Sequence, residues 1–177
     1  VNPNARKRPK CNRGSIMSNA DLVVSETGSA AQQILDEVQD YLTVQIDGQM
    51  FGIEAMTVQD ILSPRGIAKV PLAPVEVAGS INLRGRIVTA VDVRLRLGMP
   101  VAKDPEKLMN VVVDVDGELY SLLVDKVGDV LSMSQKTYES NPTNLNENWR
   151  DFAQGVHRLD ENLMVICDVE KIVKLNS

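Results

Sequence analysis

Two stretches of this chain occur twice. Shifted by 69 residues, Val44–Ser63 falls on Val113–Ser132 with seven identities and five conservative pairs in twenty positions, without a gap. The identities are Val44/Val113, Asp47/Asp116, Gly48/Gly117, Val58/Val127, Asp60/Asp129, Leu62/Leu131 and Ser63/Ser132. Between them Ile46/Val115, Met50/Leu119, Phe51/Tyr120, Ile53/Leu122 and Ile61/Val130 keep the apolar register. Shifted by 76, Gly79–Val93 falls on Gly155–Val169, with Gly79/Gly155, Leu83/Leu159, Asp92/Asp168 and Val93/Val169 identical. Ile87/Leu163 and Val88/Met164 are conservative in the same alignment. A longer loop around Glu139–Asn148 absorbs the difference between the two offsets. A unit of about 65 residues buries only ~60% of the surface its unfolded chain exposes. The two halves are therefore expected to share one apolar core and to leave a groove where they meet, a common place for a binding site.

The unit itself reads as β-structure. Tyr41–Asp47 and Gln49–Ala55 alternate apolar and polar residues around Asp47-Gly48, a strong hairpin signal. Val58–Leu62 continues as strand to the break at Ser63-Pro64-Arg65-Gly66, and Pro71 and Pro74 bound a loop that leads into Gly79. Gly79–Leu83 and Arg86–Val91 form a second hairpin, where Gly85 supplies the positive φ that the turn needs. Helix is expected only near Ala30–Val38, as a turn at Val93–Leu97, and from Val169 to about Leu175. Asp92 and Asp168 each close an apolar strand ahead of a helical turn and read as N-caps. The predicted fold is all-β with minor α: a duplicated β unit around a shared core, with a charged linker at Ala102–Lys107 between the halves and a C-terminal helix at 169–175.

Charge narrows the partners. Residues 1–16 hold five cations (Arg6, Lys7, Arg8, Lys10, Arg13) and no acid, so removing them from the net −5 leaves −10 on residues 17–177. This leader has no periodicity and no apolar run of the secretory type, and Met17 follows it; it reads as vector-derived or read-through sequence, with a nucleic-acid or membrane tether as the functional alternative. Residues 18–40 read as a mobile extension. An acidic body without aromatic interleaving argues against nucleic-acid binding, and no apolar run approaches the ~20 residues of a membrane-spanning helix. Cys11 and Cys167 make no convincing structural bridge, which fits a reducing cytoplasm.

Catalytic constellations are missing from the pattern. His157, the only histidine, lies on an apolar-alternating strand and is expected to be partly exposed there. Cys167 falls within Leu163–Asp168, a core strand, and reads as core. There is no Cys/His set for zinc and no phosphate-binding glycine pattern. Asp114-Val115-Asp116-Gly117 resembles a calcium loop only faintly, because the ligand spacing fails and Asp-Gly is better used as a turn. Trp149, within Asn148-Trp149-Arg150-Asp151-Phe152, is expected to pack over a subdomain edge. An enzyme is not expected, and neither is a metal or cofactor.

The two copies diverge at one point. Asp60 and Arg84 carry opposite charge and can pair if their strands neighbour, whereas their counterparts Asp129 and Asp160 are both acidic. A pair needed only by the common fold would tend to survive in both copies. Leu83-Arg84-Gly85-Arg86 places cations on a rigid turn, which reads either as a surface for another molecule or as a solvated turn with incidental charge.

The stretches YLTVQIDGQMFGIEAMTVQDIL, VAGSINLRGRIVTAVDVRLRLG and YSLLVDKVGDVLSM resemble CheW, the bacterial chemotaxis coupling family, from Tyr41 to about Val173. Asn82-Leu83-Arg84-Gly85 followed by Val-Asp-Val-Arg is specific to CheW-like domains. The resemblance implies two five-stranded, SH3-like β-barrel subdomains around a shared core, the first over about 41–100 and the second over about 108–168, no catalytic activity, no cofactor, and a cytoplasmic adaptor joining methyl-accepting chemoreceptors to the histidine kinase CheA, whose regulatory domain shares the fold. It further implies that the cytoplasmic tip of the receptor, a helical hairpin, packs between the barrels. The matching positions are Val58, Ile87, Met109, Ser121 and Val127, with Asp60 and Arg84 as the charged pair. The kinase contact is expected on the second barrel, and a further ring contact on the first. Ser121 stands where the family commonly has Gly, and Asp60 replaces the more usual Glu, one methylene shorter. The absence of a kinase segment before residue 41 and of a receiver domain after the repeat sets the expectation of a coupling protein. Two other readings share the fold: a scaffold of a non-chemotaxis chemosensory pathway, or a ligand-binding or enzymatic domain with a polar pocket in the groove.

Overall fold

The computed structural model describes residues 37–142, 145–159 and 162–175. The leader, nearly all of the extension and of the helix expected near Ala30–Val38, and Asp160 lie outside the described residues; Val38 itself belongs to a strand. The first repeat folds as β1 (Val38–Ile46), β2 (Gln49–Glu54), β3 (Val58–Leu62), β4 (Val77–Leu83), β5 (Arg86–Asp92) and α1 (Val93–Arg96). The second folds as β6 (Met109–Val115), β7 (Glu118–Val124), β8 (Lys126–Ser134), β9 (Tyr138–Glu139), α2 (Glu147–Arg150), β10 (Ala153–Arg158), β11 (Leu163–Cys167) and α3 (Val169–Val173). Among the described residues, β9, α2 and three short 3₁₀ turns (Ala55–Thr57, Pro105–Lys107 and Gln135–Thr137) lack a counterpart among the expected elements.

Local chemistry accounts for the corners. Asp47-Gly48, Arg84-Gly85 and Asp116-Gly117 each hold two consecutive residues at positive φ, with Arg84 at 52° and Gly85 at 86°. Two left-handed residues make the type I′ turn, whose twist matches that of the flanking strands. Asp92 accepts a hydrogen bond from the Leu95 amide and Asp168 from the Lys171 amide, so both act as the N-caps that their positions foretold.

The hydrogen bonding departs from one barrel per half. One sheet runs β8-β1-β2-β11-β10-β9 and the other β3-β6-β7-β5-β4. Each therefore takes its central hairpin from one half and its flanking strands from the other, and residues 41–100 and 108–168 are not the boundaries of the two sheets. The exchange is symmetric to the residue. Val58 pairs with Val113 while Val127 pairs with Val44, and Ile61 pairs with Val111 while Val130 pairs with Leu42. The parallel contacts agree as well, Ala90 opposite Ser121 and Ile166 opposite Gly52. The offsets of 69 and 76 thus convert the ladder of one sheet into that of the other. The reason is burial: a half-length unit is too small to cover its own apolar face, and trading strands commits each half to the other.

A single large core results. Leu42, Phe51 and Ile53 on one sheet meet Val91, Val111 and Leu122 on the other, and Leu97 and Ile172 seal the rim. Each sheet also curls around a smaller core. Leu62 of β3 buries with Ile81 and Leu83 of β4, although these strands stand at opposite ends of the five-stranded order. The closing is done by the segment after the third strand of each repeat. Ala68 bridges to Ser80 of β4, and β9 pairs with Val156 and His157 of β10.

This closure explains the shared glycines Gly79 and Gly155. A Cβ on Gly79, whose φ is 147°, would lie 2.3 Å from the Ala68 carbonyl oxygen, and one on Gly155 would lie 2.3 Å from the Tyr138 ring. Nothing lies within 4 Å of the corresponding point on Gly66. Gly79→Ala and Gly155→Ala are each expected to cost about 1–3 kcal/mol in urea unfolding, the usual penalty of overpacking. Gly66→Ala should stay within about 0.5 kcal/mol of the parent.

Candidate functional site

Asp60 leaves β3 where a bulge between Val58 and Asp60 re-aims the strand, and Arg84 sits on the β4–β5 turn. Arg84 Nη2 donates to Asp60 Oδ2 across 3.1 Å. The shorter acid therefore still reaches, and the pair joins the two ends of the curled five-stranded sheet. Arg84 remains 84% exposed while Asp60 is 26% exposed. A screened pair of this kind adds about 0–1 kcal/mol to the fold. The guanidinium keeps most of its surface open to solvent.

The other expected site residues divide into three groups. Val58, Met109 and Val127 are partly buried and all pack on the margin of the shared core. Val58 and Val127 are repeat counterparts, and each marks the junction at which a strand crosses to the sheet of the other half. Ile87 stands apart: it is 83% exposed on β5, in an open groove with Arg86, Thr89, Glu118 and Tyr120. Ser121 differs from the others in being buried. It has no exposed surface, and its hydroxyl donates to Asn110 Oδ1 at 3.0 Å inside the five-stranded sheet. Its hydroxyl satisfies the buried Asn110 and thereby fixes the local set of the sheet.

The cleft where β2, β6 and α3 meet is acidic rather than apolar, lined by Glu54, Asp114, Asp116, Asp168 and Glu170. Lys171 and Lys174 approach Asp168 and Glu170 at 3.2 and 2.9 Å. Among the described residues no three His, Cys, Asp or Glu side chains converge as metal ligands. Cys167 is buried, and burial pushes its thiol up to about 12. Trp149 packs edge-on to Phe51 with ring centroids 5.4 Å apart, over the margin of the core as expected. His157 is fully buried rather than partly exposed, because β9 covers the edge of β10 that the alternation alone leaves open.

The arginines of α1 were not singled out from sequence, and they hold the exchanged halves together. Arg94 Nε and Nη2 donate to the two carboxylate oxygens of Asp125 at 2.8 and 2.5 Å, and Nη1 donates to Asp47 at 3.1 Å. Asp125 lies between β7 and β8, where the chain passes from one sheet to the other. Burial alone would raise the Asp125 carboxyl, but the Arg94 hydrogen bonds, the Asp47 amide and the Arg94 charge outweigh it and hold it below its usual range. Arg96 donates to the Ile172, Lys171 and Lys174 carbonyls at 3.1, 3.1 and 2.6 Å, closing the C-terminal end of α3, and lies over the Phe152 ring at 4.9 Å. The available signal was two arginines at alternate positions in an otherwise apolar run, Val93-Arg94-Leu95-Arg96-Leu97. Arg84→Ala is expected to change unfolding free energy by less than about 1 kcal/mol. Arg94→Ala, which strands a half-buried carboxylate, should cost about 3 kcal/mol in the same measurement.

Comparison with known proteins agrees with this architecture. A family model described as the CheW-like domain matches residues 40–176. The chemotaxis protein CheW of Rhizobium meliloti is 28% identical over 144 residues, covering 81% of this chain and 93% of that protein. The chemotaxis protein CheW of Helicobacter pylori is 24% identical, covering 84% of this chain and 89% of that protein. The crystal structure of the scaffolding protein TtCheW from Thermoanaerobacter tengcongensis superposes with a TM-score of 0.71 at 22% identity, over 78% of this chain and 94% of that one. With two interlocked β-sheets around one core and a family match over most of its length, the chain belongs to the CheW-like domain family.

Proposed function

We propose that this chain is a non-catalytic chemotaxis scaffold that couples chemoreceptors to the histidine kinase CheA in the cytoplasm. The observation that carries the reading is the family match over residues 40–176, with curated relatives named as chemotaxis proteins over most of their own length. Among the described residues no helix is long and apolar enough to cross a membrane. A scaffold of this size acts by position: it biases the kinase only through a difference in how it binds the partners in their two signalling states.

The geometry supports a division of labour. The Asp60–Arg84 pair fixes the tip of the β4–β5 hairpin and presents an exposed guanidinium. Exposed Ile87 on the same hairpin and the partly buried Val58, Met109 and Val127 supply apolar contact for a helical receptor tip. Ser121 contributes through Asn110 and the set of the sheet. The kinase regulatory domain is taken by the second repeat.

Co-sedimentation of the purified chain with a chemoreceptor cytoplasmic fragment and CheA, read together with kinase phosphorylation, tests this reading. The parent chain is expected to enter the complex and raise kinase activity. Arg84→Glu should fold normally and bind the receptor fragment at least tenfold more weakly. A parent chain that assembles with neither partner overturns the function. An Arg84→Glu chain that assembles a fully active complex overturns the site.

A further inference from the structure

His157 is the single histidine of the chain and has no exposed surface. Its ring lies between Tyr41 of β1, at a centroid distance of 5.4 Å, and Tyr138 of β9, at 5.5 Å. Along the backbone it pairs with Tyr138 on one side and Met164 on the other. It thus stands where the six-stranded sheet is closed. The chain leaves β8 at one end of the strand order, turns through Gln135–Thr137, and lays β9 against β10 at the other end. With only two residues, β9 has few ladder bonds, so side chains must hold this strap.

Counting protons assigns the tautomer. Thr137 Oγ1 lies 3.0 Å from His157 Nδ1, and its own hydrogen is donated to the Ser134 carbonyl at 2.9 Å. The hydroxyl oxygen is left to accept, so Nδ1 carries the proton. Nε2 is then a buried lone pair without a hydrogen-bond partner among the described residues. A proton added there would create a cation and an orphan donor in one dry pocket.

The surrounding elements offer no counter-charge. On β1, Asp40 accepts from Ser132, and on β2 Glu54 lies opposite Tyr41. On β9, Glu139 pairs with Arg158 of β10 at 3.3 Å. The turn before β9 carries Lys136, itself a cation. Tyr138 donates its hydroxyl to the Gln154 carbonyl at 2.7 Å. Tyr41, which the ring meets, packs with the uncharged Met50, Met133, Met164 and Ile166 of β2, β8 and β11. No ion pair reaches the imidazole among the described residues.

We propose that His157 is a pH-dependent latch: neutral, its ring pins the Gln135–Glu139 strap across the six-stranded sheet; protonated, it releases the strap and loosens β8, the strand that carries Val127. Burial sets the sign, lowering the basicity of the ring in the closed state against the weaker opposing effect of a hydrogen bond to the Thr137 backbone. A group more basic when released stabilises the closed form fully above its unfolded value of about 6.5, and that contribution is lost as pH falls through the closed-state value. Over that interval the opening constant rises by up to tenfold per pH unit.

Because there is one histidine, its imidazole resonance in the full chain is unambiguous. The test is an NMR titration of that resonance alongside amide exchange at Tyr138 and Glu139, corrected for intrinsic rates. The ring is expected to stay neutral below pH 6.5, with strap opening rising as it titrates, and His157→Gln should abolish that rise. A ring that titrates at its ordinary value, strap exchange that does not follow the ring, or an unchanged rise in His157→Gln overturns the latch. Should His157→Gln fail to fold, Thr137→Val removes the hydroxyl and keeps the ring. It is expected to open the strap at least several-fold more at pH 7.5, and no change there overturns the proposal equally.

Discussion

Neither sheet of this protein can be completed by one half of the chain. β3 finds its partner in β6 and β8 finds its partner in β1, so the outer strands of each repeat are anchored only across the molecule. Burial of the shared core, closure of each curled sheet and the placement of the exposed hairpin all require both halves at once. Contacts so distant along the chain are costly in loop entropy before any burial compensates, which slows folding relative to a fold built on local contacts.

The same exchange explains where the strong polar contacts lie. The bidentate Arg94–Asp125 pair and the Arg96 contacts to the end of α3 both tie a residue of the first repeat to a point in the second. Neither has a repeat counterpart, since Glu170 stands where the offset would place a second Arg94. Symmetry thus governs the strands, while the side chains that lock them are used once. The glycines fall on the symmetric side of this division. Gly79 and Gly155 meet different atoms, a carbonyl in one case and a tyrosine ring in the other, yet each admits the segment that closes its own sheet.

Having a duplicated frame leaves each copy free to diverge at its surface. In the first, the hairpin tip carries an exposed arginine held by Asp60, a pair too screened to matter much for the fold. In the second, closure is more elaborate, with β9, the Tyr138–His157–Tyr41 stack and Trp149 over Phe51. Surfaces that began equivalent are now one open and arginine-tipped, the other strapped and aromatic.

The residues alone determined the strand content, the hairpin turns at Asp47-Gly48 and Asp116-Gly117, the helix caps at Asp92 and Asp168, and the common apolar core. Each of these is set by periodicity or by short-range backbone chemistry. The Asp60–Arg84 pair was also legible, because the two copies differ there in charge. Which half supplied which strand was not, since a hairpin pattern is the same whether its outer neighbour is near or distant in sequence. Burial of Ser121 and His157 was hidden for the same reason: alternation assigns a face, but only the neighbouring strand or strap decides whether that face is covered. The Arg94 and Arg96 contacts depend on backbone positions brought together from residues 47, 125 and 172, and only the folded chain sets those distances.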